Sequence, residues 1–206
     1  MIINVLEPVK NLRSLFKAST VSFTLANMPE DMARILQKYP AGEEYGTFYD
    51  FLVANIDRIV LCPDIYYYGI SSGSIMYGIA YPALDILLYP EEASVYLNTF
   101  YGKSGWNSII TLISEVIHET KHQEINRLFM NGKISTDLFY STVHQERDAY
   151  IMQEKFLKFF AQDTEYALYR EDIARYLRRV TTEIERYNSI LGLPRGDRTL
   201  LLLSLK

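Results

Sequence analysis

The chain has 206 residues, 49% of them hydrophobic and 22% charged, enough to bury one sizeable core without a second domain. A net charge of −4, with no Lys/Arg cluster large enough to override it, argues against a nucleic-acid partner. No stretch reaches the roughly 18 apolar residues of a membrane span, the start Met1-Ile2-Ile3-Asn4 lacks the charged opening of a signal peptide, and the single cysteine, Cys62, excludes an internal disulfide. Cytoplasmic residence is the resulting expectation.

Pro29-Glu30-Asp31 opens a helix predicted over residues 29–39, and a second is predicted over about 44–57. Residues 66–68, 74–81 and 85–89 are rich in β-formers and punctuated by Gly69, Ser71-Ser72-Gly73 and Pro82, which predicts a small antiparallel sheet. Residues 91–101 are expected to form a connecting helix. From 106 to 130 the apolar residues Ile109, Ile110, Leu112, Ile113, Val116, Ile117, Ile125, Leu128 and Phe129 recur at helical spacing, and Asn131-Gly132 is a stop signal. Ser135-Thr136-Asp137 begins a further helix predicted to run to about residue 160.

A long amphipathic helix follows over 163–191, ending at Gly192 and Pro194. Its Arg175, Arg178 and Arg179 are balanced by Glu171, Asp172, Glu183 and Glu185, the pattern of a solvated face. Arg195-Gly196-Asp197 reads as a turn. The tail Leu200-Leu201-Leu202-Leu203-Ser204-Leu205 is too short to span a bilayer, so it either packs back onto the domain or binds a partner such as a second copy, giving a homo-oligomer. Together these elements predict an α+β fold in one domain. Residues 1–105 would supply helices and a small antiparallel sheet, and 106–206 a mostly helical part.

The helix over 106–130 holds the sequence His118-Glu119-Thr120-Lys121-His122, and the chain has only three histidines. On a helix, residues i and i+4 lie about 5–6 Å apart at Cβ, so His118 and His122 project from one side and can share a metal ion. Glu119 sits about 100° round from His118, beside that ion. A catalytic zinc site takes a third protein ligand and leaves a position for water.

Two candidates for the third ligand lie on the following helix, His144 and Glu146. They are two residues apart and point about 200° away from each other, so both cannot reach one ion. The Glu146 side carries Phe139, Val143, Ala149, Tyr150 and Leu157, whereas the His144 side carries Ser141, Asp148 and Lys155. Glu146 therefore points inward, where a carboxylate needs positive charge to compensate its burial, and it is the preferred ligand. A plain alternative is that His118 and His122 lie on a wet helix face with no metal. A closed structural zinc site is disfavoured because such sites use four ligands rich in cysteine.

The pairing of His118-Glu119-Thr120-Lys121-His122 with Glu146-Arg147-Asp148-Ala149, 23 residues further on, resembles the gluzincins, and the size of the chain resembles the minigluzincins. In that group a second helix supplies a glutamate as the third zinc ligand, often within a Glu-x-x-Ala pattern. The small Ala149 would let the two helices approach closely. Lys121 inside the motif, with Glu115 upstream, departs from the uncharged residues usual there.

The resemblance implies a zincin-like fold and a zinc-dependent metallopeptidase, with Zn2+ bound by His118, His122 and Glu146 and with Glu119 as general base for water. The substrate would be a peptide or protein, held by β-augmentation at an edge strand for which residues 74–81 are the candidate. The oxyanion donor in such enzymes is often a tyrosine or histidine. Tyr150, one turn after Glu146, is the candidate here, although among 17 tyrosines a packed, hydrogen-bonded core role is the favoured expectation for it. The contrasting expectation is a catalytically inactive zinc-binding interaction module.

Overall fold

The computed structural model describes residues 21–62, 78–80, 93–98, 109–135, 137 and 142–192. The sheet expectations at 66–68 and 85–89, and the C-terminal leucine tail, lie outside these residues. Strand β1, Val21–Thr24, leads through a short 3-10 turn to helix α1, Glu30–Lys38. Glu30 and Asp31 in the first turn and Lys38 in the last complement the helix dipole. Met32, Ile35 and Leu36, at i, i+3 and i+4, face the core.

Strands β2, Pro40–Gly42, and β3, Gly46–Thr47, form a short antiparallel hairpin before helix α2, Phe48–Asn55. The sequence pattern places the start of this helix near residue 44. The start lies later because Gly46 adopts a φ of 77° and Thr47 with Asp50 closes a capping box. Thr47 Oγ1 accepts from the Asp50 amide at 3.2 Å, and Asp50 accepts from the Thr47 amide at 3.0 Å.

Strands β4, Arg58–Cys62, β5, Gly78–Ala80, and β6, Ser94–Asn98, complete a sheet of order β1-β4-β6-β5. The expected antiparallel sheet is corrected here, since β4 and β6 run parallel while the outer pairs are antiparallel. A parallel pair needs a long crossover, and the segment between Cys62 and Ser94 supplies it. The helix expected over 91–101 is also corrected, because its centre is β6. Val95 and Leu97 alternate onto one buried face and β6 is hydrogen-bonded on both sides, so sheet pairing overrides a local helical pattern. Of the strand expected over 74–81, Gly78–Ala80 is a strand, at one end of the described sheet.

Three long helices follow: α3, Ile109–Met130, α4, Thr142–Gln162, and α5, Arg170–Gly192. Gly132, at a φ of 67°, ends α3. Its amide donates to Phe129 O at 2.9 Å and that of Lys133 to Leu128 O at 2.8 Å, the Schellman pattern that Asn131-Gly132 announces. The single helix expected over 163–191 begins instead with a 3-10 turn, Thr164–Tyr169, whose cap Asp163 accepts from the Glu165 amide at 3.0 Å.

Helix α3 lies against β5 and β6 on one side and against α4 on another, and α4 packs along α5. Ile59, Val95 and Leu97 of the sheet join Ile113, Val116 and Ile117 of α3 and Phe156, Leu157 and Phe160 of α4 in one core. The coarse architecture is α+β, with α3 running through its middle. No described helix is long and apolar enough to cross a membrane.

Candidate metal centre

Between residues 113 and 120 nearly every side chain of α3 is buried, polar ones included. Buried polar groups require partners, and the pattern of partners defines the site. Thr120 Oγ1 donates back to Val116 O at 2.7 Å, and Gln123 Nε2 donates to Ser94 O at 2.8 Å, which ties α3 to β6. Glu124 accepts from the Tyr45 hydroxyl and pairs with Lys121. The lysine that departs from the expected motif is thus engaged with a buried carboxylate one turn on.

His118 and His122 turn their rings toward each other, with Nε2 atoms 3.3 Å apart. Helix α4 places Glu146 against both, with Oε2 3.5 Å from His118 Nε2 and Oε1 3.5 Å from His122 Nε2. Among the described residues these three form a group that could hold a metal ion, their ligand atoms all within 4.8 Å of one another. His144 is not in that group. Ala149 is fully buried three residues beyond Glu146.

Burial lowers the pKa of His118, but the Glu146, Glu119 and Glu115 carboxylates outweigh it and raise the imidazole to about 9. His122 is held at about 4 by burial and by the charge on His118. Burial would raise Glu146, yet the two imidazoles and Arg186 keep its carboxyl below the usual range. Two facing ring nitrogens and a carboxylate thus favour one positive charge between them, a donor set suited to a cation. Glu119, next along α3, is itself buried, at 6% exposure, and adds its negative charge to this field.

Tyr150 sets its ring edge-on to His118, with centroids 4.5 Å apart, and stacks on Tyr187 of α5 at 5.9 Å. Burial and the Glu146 charge raise its hydroxyl above the ordinary value, so it keeps its proton at neutral pH. It packs against His118 and remains a donor.

Two contributions were not singled out from the sequence. Gln153, fully buried on α4, lies with Oε1 3.3 Å from His118 Nδ1. Its signal was present, since Gln153 is seven residues after Glu146 and so shares that helix face with Ala149 and Tyr150. From α5, Glu183 is half-buried and paired with Arg186 at 3.0 Å, and the Arg186 charge reaches Glu146. The charge pattern of the sequence places Glu183 on a solvated face, whereas its side chain is half-buried beside Arg186. No protein-family model matches the chain, and neither a curated protein nor a solved structure matches it.

Proposed function

We propose that His118, His122 and Glu146 hold a zinc ion and that the chain is a zincin-like metallopeptidase. The observation that carries this reading is the spacing of the ligand atoms. Nitrogens and oxygens about 2.0–2.2 Å from a shared tetrahedral centre stand about 3.3–3.5 Å apart; the two imidazole nitrogens are 3.3 Å apart, each lies 3.5 Å from one of the two Glu146 oxygens, and one ligand atom from each of the three residues fits within 4.8 Å. Three protein ligands would leave a fourth position open, as catalytic rather than structural zinc sites do. Zinc held there would lower the pKa of water toward neutrality and polarise a carbonyl oxygen.

The chain's own residues supply the rest. Glu119, buried next to His118, takes a proton from the attacking water and returns it to the leaving amine nitrogen. Tyr150, which keeps its proton beside the centre, offers a donor for the developing oxyanion. Strand β5 lies at an end of the described sheet and against α3, which suits it to pair with an extended peptide near the site.

The test is Glu119→Gln, a nearly isosteric change that removes the base and keeps the ligands. Peptide hydrolysis should fall by a factor of about 10²–10⁴ while elemental analysis still finds one zinc per chain. Unchanged hydrolysis would overturn Glu119 as base. A zinc-loaded parent with no hydrolysis of any peptide pool would leave the inactive zinc-binding module.

A further inference from the structure

We infer that Gln153, Tyr176 and Glu115 form a hydrogen-bond relay that fixes His118 with its proton on Nδ1, leaving the Nε2 lone pair for a cation. The inference rests on the metal reading above and assigns three positioning residues to it. The relay begins and ends on α3 and passes through Gln153 of α4 and Tyr176 of α5. Gln153 Oε1 lies 3.3 Å from His118 Nδ1, Gln153 Nε2 donates to the Tyr176 hydroxyl at 2.9 Å, and that hydroxyl donates to Glu115 Oε1. Gln153 and Tyr176 are buried, at 0% and 4% exposure, so these bonds have little competition from water.

The direction of the relay follows from its last member. The Tyr176 hydroxyl donates to Glu115 Oε1, so its one proton is spent there. The Tyr176 oxygen is then left as an acceptor, which takes the NH2 group of Gln153. That orientation turns the Gln153 carbonyl oxygen toward His118, whose Nδ1 must donate. With the amide reversed, Gln153 would offer N–H to Nδ1, and the imidazole would carry its proton on Nε2, the nitrogen that faces Glu146 and His122. A metal-ligating histidine usually has its other ring nitrogen fixed by such a partner. Here a carboxylate three residues back on the same helix sets that choice through two side chains from elsewhere.

Zinc affinity, measured by chelator competition, should weaken about 10- to 100-fold in Gln153→Leu and Tyr176→Phe. Gln153→Glu keeps an acceptor oxygen and should stay within a few-fold of the parent. A folded Gln153→Leu protein that binds zinc as tightly as the parent would overturn the relay, as would an equal loss in Gln153→Glu, which would point to packing alone. Long-range nitrogen-15 spectra of the metal-free chain, recorded above pH 9 where the His118 ring holds a single proton, give a readout that needs no zinc. That proton should sit on Nδ1 in the parent and in Gln153→Glu but not in Gln153→Leu, and a neutral parent ring with Nδ1 unprotonated would overturn the relay. Failure of the parent to bind zinc would sink the metal reading, with these spectra still deciding the relay.

Discussion

Two polar clusters in this chain obey opposite rules. Where α1 meets the turn before α5, Arg34 and Lys38 face Asp163 and Glu165, with Arg34 to Glu165 at 2.6 Å and Lys38 to Glu165 at 2.7 Å. Lys38 also pairs with Asp163, which accepts from the Tyr39 hydroxyl at 2.6 Å. Two cations meet two carboxylates, in water for the most part, and the cluster is balanced by its own members. Around the site the carboxylates of Glu115, Glu119 and Glu146 act together on the buried His118, and Glu146 also acts on the half-buried His122 beside it. The first arrangement is complete as it stands, whereas the second, on the proposed reading, gains by taking in a cation. Exposed ion pairs contribute little to stability, so the first cluster serves to seat one element on another. Burying the second is costly unless something compensates it, which is a physical reason to look for function there.

The strongest way to break this contrast is to remove one member from each cluster and measure zinc affinity. Glu146→Ala should weaken binding by at least about a hundredfold, the upper range for losing even an outer partner of a metal site. Glu165→Ala and His144→Ala should leave it unchanged. If His144→Ala weakened binding and Glu146→Ala did not, the ligand assignment would be wrong and the buried cluster would need another account.

The parts of this contrast differed in how far the sequence exposed them. His118, His122 and Glu146 lie on two helices whose periodicity alone says which side each faces, and the geometry brings together those three side chains. The relay partner Tyr176 had no such signal. It lies on α5, and its place beside Gln153 depends on how α4 packs along α5, which no local pattern encodes.

The same limit explains β6. Residues 94–98 form a strand because β4 and β5 flank them, a long-range fact that outweighs local preference. The sequence pattern starts a helix at Asp163, where the fold has a kinked 3-10 stretch, Thr164–Tyr169. The regular helix starts later because Asp163 also serves Lys38 and Tyr39 across the fold.

A smaller effect sharpens the comparison from the exposed side. Tyr39 is mostly buried, packs its ring on Phe156, Phe159 and Phe160, and sends only its hydroxyl to Asp163. Tyr39→Phe keeps the packing and removes the bond, so chemical denaturation should show a loss of about 0.5–1.5 kcal/mol with no change in zinc affinity. A loss of metal binding in this variant would mean that the two clusters are coupled through α4, and the separation drawn above would fail.

The smallest effect is expected in acid, and it separates charge from packing in the exposed cluster. Hydrogen bonds from Lys38 and Tyr39 hold Asp163 at about 2, and those from Lys38 and Arg34 hold Glu165 at about 2. A carboxylate whose folded pKa lies below its unfolded value near 4 contributes stability that is complete above about pH 4 and is lost as the pH falls toward 2. Lys38→Met removes the largest cause of both shifts, so the parent should melt at a higher temperature than the variant at neutral pH. That gap should close between about pH 4 and pH 2, and 1 M salt at neutral pH should narrow it because exposed charges are screened. A gap that persists unchanged at pH 2 would show that the lysine acts through its ammonium group over the Tyr39 and Tyr166 rings, 5.8 and 5.5 Å from their centroids. In that case the exposed cluster would be held by ring contacts rather than by its ion pairs, and the paired carboxylates of the two clusters would matter only at the buried site.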